Sequence, residues 1–198
     1  MTESGFAARR LTAQDGLSLY YRDYPALGEN VACPVLCLSG LARNSGDYHR
    51  LALDLSHRGH RVIALDYRGR GQSAYDPDPM NYLPATYIGD IRHLLTSLNL
   101  HQVIVIGTSL GGLLAMGMGA AMPSSLRAVV LNDVGPDINS DGLDRIIDYL
   151  SNSPRLSNWD EATELIKRMF AQVNCESEDD WRELDRNTFR EETDGSIR

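Results

Sequence analysis

The chain has 198 residues, of which 42% are hydrophobic, 23% charged and 7% aromatic. Those proportions exclude collagen-like, coiled-coil and disordered chains, and the length suits one domain with an insertion around a sizeable core. The formal charge is −8, unevenly spread: residues 1–136 hold 11 acidic and 11 basic side chains, residues 137–198 hold 16 and 8. A basic face for nucleic acid or anionic lipid is therefore not expected.

Taken in order, residues 6–13 and 17–24 read as strands flanking Asp15-Gly16, a hairpin signal. Residues 35–38 form a short apolar run ending at Ser39-Gly40, and 61–65 form another ending at Asp66. Between them, 48–58 carries Leu51, Leu53 and Leu55 and stops near Gly59, which suits a short helix. Residues 87–98 place Ile88, Ile91, Leu94, Leu95 and Leu98 at helical spacing. A β-branched strand over 102–106, a small-residue helix over 110–122 and a strand over 128–131 follow. Apolar strands alternating with helices predict an α/β fold with a mostly parallel sheet and helices on both faces. After Pro136 the pattern changes: 143–150, 159–173 and 179–189 read as acidic amphipathic helices with no strand among them. The expected organisation is a core over 1–136 and a helical cap over 137–198.

Cys33, Cys37 and Cys175 are odd in number and lack zinc-ligand spacing, and residues 1–14 lack the apolar stretch of a signal peptide. A reducing, cytoplasmic setting is expected. Cys33 and Cys37, four apart in one apolar stretch, are expected to share a strand face as small core residues. No charge occurs from Gln102 to Leu126, a span long enough to cross a membrane. Six residues there, Gly107, Gly111, Gly112, Gly117, Gly119 and Pro123, argue instead for a buried strand, a turn and a buried helix, with no membrane partner.

Gly107-Thr108-Ser109-Leu110-Gly111 is a G-x-S-x-G. Alone the pattern is weak, and a Gly-lined packing turn would satisfy it. Here it follows a strand and opens a helix, the setting of a nucleophile elbow. The sharp turn holds serine in a strained conformation, and the glycines let strand and helix backbones close up. The helix N-terminus directs N–H groups and partial positive charge at a reacting carbonyl. Leu38-Ser39-Gly40-Leu41 follows the third strand, where the Leu41 N–H would join that of Leu110 in an oxyanion hole; a plain glycine turn is the competing reading. Gly69-x-Gly71-x-x-Ala74 also fits a dinucleotide fingerprint, which must open a helix. Asp76-Pro77-Asp78-Pro79 prevents one there, and Asp90 lies inside a helix rather than at a strand end, so no nucleotide is expected.

Four motifs in order resemble the α/β-hydrolase superfamily: Ser39-Gly40, D-Y-R-G-R-G-Q-S at 66–73, G-T-S-L-G-G at 107–112 and L-N-D-V-G-P at 131–136. The resemblance covers essentially the whole chain and is strongest to capped single-domain members, which include esterases, lactonases and carbon–carbon bond hydrolases. It implies Ser109 as nucleophile and Leu41 and Leu110 as backbone oxyanion donors. It also implies an acyl-enzyme route on a small or medium carboxylic ester, lactone or related carbonyl compound, without metal or organic cofactor. Ser39 stands where many relatives have His, and serine at 109 argues against the haloalkane-dehalogenase branch, which has Asp there.

In this family the triad runs Ser, acid, His along the chain. All five histidines, His49, His57, His60, His93 and His101, precede Ser109, and without a base a serine hydroxyl is a poor nucleophile. The family's last two core strands also have no counterpart. The chain therefore reads as the N-terminal portion of a longer hydrolase, inactive as it stands, with the triad His beyond Arg198. Asp133 is a candidate acid, because a minority of relatives carry theirs on that loop, although Asp there more simply caps the turn into the lid. Tyr82, Tyr87, Trp159 and Met169 would suit an acyl pocket under the cap, but such residues are more often core and are not assigned to the site. The competing function is a non-catalytic protein on the same fold that binds a small ligand under the cap.

Overall fold

A strand that is apolar on both faces is stable only between two covering layers. The computed structural model describes residues 5–28, 31–135, 155–170, 175 and 177–197. Its strands are β1 (Ala7–Thr12), β2 (Ser18–Tyr24), β3 (Val35–Leu38), β4 (Val62–Asp66), β5 (Val103–Thr108) and β6 (Leu126–Asn132). They form one sheet in the order β1-β2-β4-β3-β5-β6. β1 pairs antiparallel with β2 and β2 with β4, and every later pairing is parallel. The first hairpin turns at Gly16, φ +91, with the Leu17 N–H donating to Asp15 Oδ1 at 3.1 Å.

The strands alternate faces with period two. Leu36, Leu38, Ile63, Leu65, Val103 and Val105 pack on one face with α2 (Pro84–Ser97) and α3 (Leu110–Ala121), through Ile91, Leu94, Leu114 and Met118. Val35, Cys37, Val62 and Ala64 occupy the other face with Tyr48 and with Ala52 of α1 (His49–His57). The predicted α/β architecture is thus the observed one. α2 starts at Pro84, before the predicted 87, because proline's missing N–H and fixed φ suit a first helical turn. Cys33 departs from expectation. Pro34 has no N–H for the ladder, so β3 begins only at Val35 and Cys33 lies outside it, half-buried, with Sγ 3.6 Å from Gln102 O. Cys37 alone is a core thiol, and burial pushes it up to about 12.

The connections position the site. β3 leads through α1 to β4 on one side, whereas β5 leads through α3 to β6 on the other, and these helices lie on opposite faces. In open parallel sheets, ligands bind beyond the carboxyl ends of the strands where the winding direction reverses. Here that place lies between the ends of β3 and β5.

The chain divides into two units, Met1–Gly135 and Pro136–Arg198. The described part of the second contains α4 (Trp159–Met169) and α5 (Glu178–Thr188). Asn158 caps α4 by accepting the Glu161 N–H, and Ser177 and Asp180 form a capping box on α5. Ala162 and Ile166 are buried, as is Asp185, which accepts the Thr163 hydroxyl. Isolated bridges join Leu156 and Glu191 to Ile197, a pairing the helical pattern did not suggest. The helix predicted over 143–150 lies outside the described residues.

Candidate active site

Ser109 stands between β5 and α3 with φ +51 and ψ −114, a conformation that costs roughly 1–3 kcal/mol for a non-glycine residue. Its surroundings impose it. A methyl group on Gly107 would overlap the Gly111 carbonyl, and one on Gly111 would overlap the Leu38 carbonyl at the end of β3. Only glycines let β5, α3 and β3 come so close. The Ser109 N–H donates to Asn132 O on β6 at 3.0 Å, and its carbonyl accepts from the Gly112 and Leu113 N–H groups at 2.9 and 3.1 Å. The half-buried hydroxyl is thereby presented at the α3 N-terminus.

The loop after β3 lies alongside. A Cβ built on Gly40 would be 3.8 Å from Ser109 Cβ. Among the described residues, neither the Leu41 nor the Leu110 N–H has a hydrogen-bond partner. Two uncommitted donors therefore flank the serine. Beneath it, the Tyr48 hydroxyl donates to Leu38 O at 2.8 Å and exchanges a hydrogen bond with Thr108 Oγ1, also at 2.8 Å. Thr108 Oγ1 accepts from Asn132 Nδ2 at 3.2 Å. Burial pushes the Tyr48 phenol up to about 12, so it stays a neutral donor. Asp66, buried at the end of β4, accepts the Ser45 and Gln72 N–H groups at 2.6 and 2.8 Å and so ties two loops together. Its carboxyl is raised, chiefly by burial.

Arg68 was missed as a structural centre by sequence reasoning. It is 1% exposed, forks onto Asp90 at 2.8 and 2.7 Å, and donates to Asp76 at 2.6 Å and Asp15 at 2.8 Å. One cation thus fastens the 66–73 loop to α2 and to the first hairpin. A signal existed: Asp90 falls on the same helical stripe as Tyr87, Ile91 and Leu94, the buried one.

The histidines are placed elsewhere. His60 and His101 precede β4 and β5, so His101 lies at the far end of β5 from Ser109, about 20 Å for six residues at 3.3 Å each. His49 is bonded to the Tyr24 hydroxyl at 3.0 Å, His57 to Leu53 O at 2.7 Å, His60 to Cys33 O at 2.7 Å and His93 to Thr12 O at 3.0 Å. Asp133 follows Asn132, the register partner of Thr108, at φ +51. It is exposed, and its carboxylate makes no hydrogen bond among the described residues; the turn into the lid that it was expected to cap runs on into residues outside them. Tyr87 is a core residue against Tyr67, and Tyr82 bonds through its hydroxyl to the Asp76 backbone. Among the described residues there is no group of three or more His, Cys, Asp or Glu that could hold a metal, and no helix long and apolar enough to cross a membrane.

A strained serine at a strand–helix turn, in a sheet wound in both directions, defines a class of hydrolase scaffold. Residues 34–182 match the alpha/beta hydrolase fold family, and the chain belongs to that family. It is similar to the 3-hydroxybutyrate-oligomer hydrolase of Cupriavidus necator, at 33% identity over 150 residues, covering 76% of this chain and 51% of that protein. Among solved structures it is similar to an alpha/beta hydrolase from Novosphingobium aromaticivorans, with TM-score 0.89 and 36% identity over 98% of this chain and 67% of that one. It also resembles E-2-(acetamidomethylene)succinate hydrolase, with TM-score 0.83 and 25% identity over 98% of this chain and 68% of that one. The chain spans about half the length of the curated relative.

Proposed function

We propose that the protein is a serine hydrolase acting on a small or medium carboxylic ester, lactone or related carbonyl compound through an acyl-enzyme. The observation that carries this reading is the strained Ser109 at the α3 N-terminus, beside the uncommitted N–H groups of Leu41 and Leu110. Attack by Ser109 Oγ would place negative charge on the substrate oxygen. Two preorganised N–H donors and a helix N-terminus would stabilise that charge, each lost donor costing about 10²–10³-fold in rate. The hydrolases among its relatives are in keeping with carbonyl chemistry of this kind. Asp133 is the candidate acid on the same reading, being exposed just after the strand next to the elbow, with no hydrogen bond to its carboxylate among the described residues, and residues 137–198 are the candidate lid. Among the described residues none of the five histidines is hydrogen-bonded to Ser109, so the activity proposed is that of a protein which supplies its base from elsewhere.

A fluorophosphonate probe tests the assignment directly. In the protein complete with its base, it is expected to label Ser109, and Ser109→Ala is expected to abolish labelling. Labelling that survives the substitution overturns the reading.

A further inference from the structure

The oxyanion loop has its carbonyls held both from outside and from within. Tyr48 Oη donates to Leu38 O at 2.8 Å, Tyr67 Oη to Ser39 O at 3.0 Å, the Arg43 N–H to Gly40 O at 3.2 Å and Ser39 Oγ to Arg43 O at 3.3 Å. The Gly40–Arg43 bond closes a β-turn whose central peptide joins Leu41 to Ala42. On the carbonyl of that peptide sits Arg70, whose Nε donates to Leu41 O at 2.6 Å. We propose that Arg70 is a positioning residue of the oxyanion hole: by holding the Leu41 carbonyl, it fixes the turn that carries the Leu41 N–H beside Ser109. The proposal rests on the serine-hydrolase reading above.

Two features suit Arg70 to the task. Its bond is charge-assisted, about twice as strong as a neutral one, and lands on the residue that bears the donor. Its base is also rigid. Nη1 donates to Gly69 O at 3.1 Å, the Arg70 N–H donates to Tyr67 O at 2.9 Å, and the Arg70 carbonyl accepts the Ser73 N–H at 2.9 Å. Two positions earlier, Arg68 is locked by three carboxylates. The two arginines of D-Y-R-G-R-G-Q-S thus divide the work: Arg68 anchors the loop, and Arg70 passes that rigidity to the turn after β3.

The test measures p-nitrophenol release from paraoxon and from its P=S analogue parathion by the purified chain. It runs at pH 9, where hydroxide from solution accepts the serine proton that a histidine would otherwise take, with Ser109→Ala as blank. An oxyanion hole favours P=O over P=S, so the ratio reports donor geometry, which a purely structural role would leave alone. Arg70→Met is expected to slow the Ser109-dependent reaction with paraoxon by about tenfold or more and to lower the ratio, with partial recovery of both in Arg70→Lys. A folded Arg70→Met that keeps the parental rate and ratio overturns the proposal. If Ser109→Ala reacts as fast as the parent, the chain shows no serine reactivity without its base, and the rates carry no comparison. The crystal structure of Arg70→Met then decides: a displaced Leu41 peptide supports positioning, and an unmoved turn refutes it. Should Arg70→Met not fold, Arg70→Lys carries both comparisons, with a lowered ratio or displaced turn supporting the proposal and parental values refuting it.

Discussion

At Gly111 the obstacle to a side chain is the Leu38 carbonyl, a backbone atom at the end of β3 that cannot rotate aside. Gly111→Ala is therefore expected to lower stability by about 1–3 kcal/mol or more, as overpacking does, and to push the elbow off β3. Gly89, also helical, has nothing within 4 Å of an added Cβ. Gly89→Ala is expected to raise stability by about 0.5–1 kcal/mol through helix propensity alone. Thermal melts followed by circular dichroism would separate the two signs. An unchanged melting temperature in Gly111→Ala would mean that the close packing of β3, β5 and α3 is not what holds Ser109 at φ +51.

Between elements, Arg68 does what apolar packing cannot. It joins the β1–β2 hairpin, the loop after β4 and α2, using a charge that is 1% exposed. Removing a buried cation while leaving its partners charged costs about 3–5 kcal/mol, so Arg68→Met is expected to be far more damaging than Asp15→Asn. The latter removes a side chain that is 43% exposed, worth under about 1 kcal/mol. Hydrogen bonding from Arg68 lowers the Asp15 carboxyl, and the Asp78 N–H, then Asn81 and Arg68, lower that of Asp76. Groups lowered on folding stabilise above the ordinary carboxylate range and lose that contribution as pH falls through it. The deficit of Asp15→Asn in urea melts is thus expected at pH 7 and should close below about pH 4. A deficit that widens with acid would be contrary. Asp66, raised by burial, has the opposite sign: its contribution is present at low pH and fades as pH rises through its folded value.

At the scale of the molecule, β6 is an edge strand. Its outer side has no strand partner among the described residues, and Val129, Val130 and Leu131 are 39%, 49% and 44% exposed. Seven residues with Arg127 as the one charge form an edge that pairs readily with other chains. The isolated chain is expected to self-associate at concentrations from about micromolar upward, and Val130→Lys to reduce that association. Light scattering after size-exclusion chromatography gives the answer. A parent monodisperse and monomeric at about 100 µM would show that the edge is covered.

What could be read from the residues in order was whatever depends on near neighbours. Strand and helix periods, the Asp15-Gly16 turn and the glycines around Ser109 act over a few positions, so the α/β alternation and the candidate nucleophile were legible. The Cys33 expectation failed even at short range, because one missing N–H at Pro34 moved the start of β3. Strand order was not legible, since pairing β4 between β2 and β3 depends on which surfaces fit through space. That order carries Gly40 to Ser109, brings the Tyr48 hydroxyl to Thr108 across 60 positions and gathers Asp15, Asp76 and Asp90 around Arg68. The motif at 107–111 names a serine. Only the folded sheet supplies the donors beside it and the arginine that holds one of them in place, because those partners are set by contact and not by spacing.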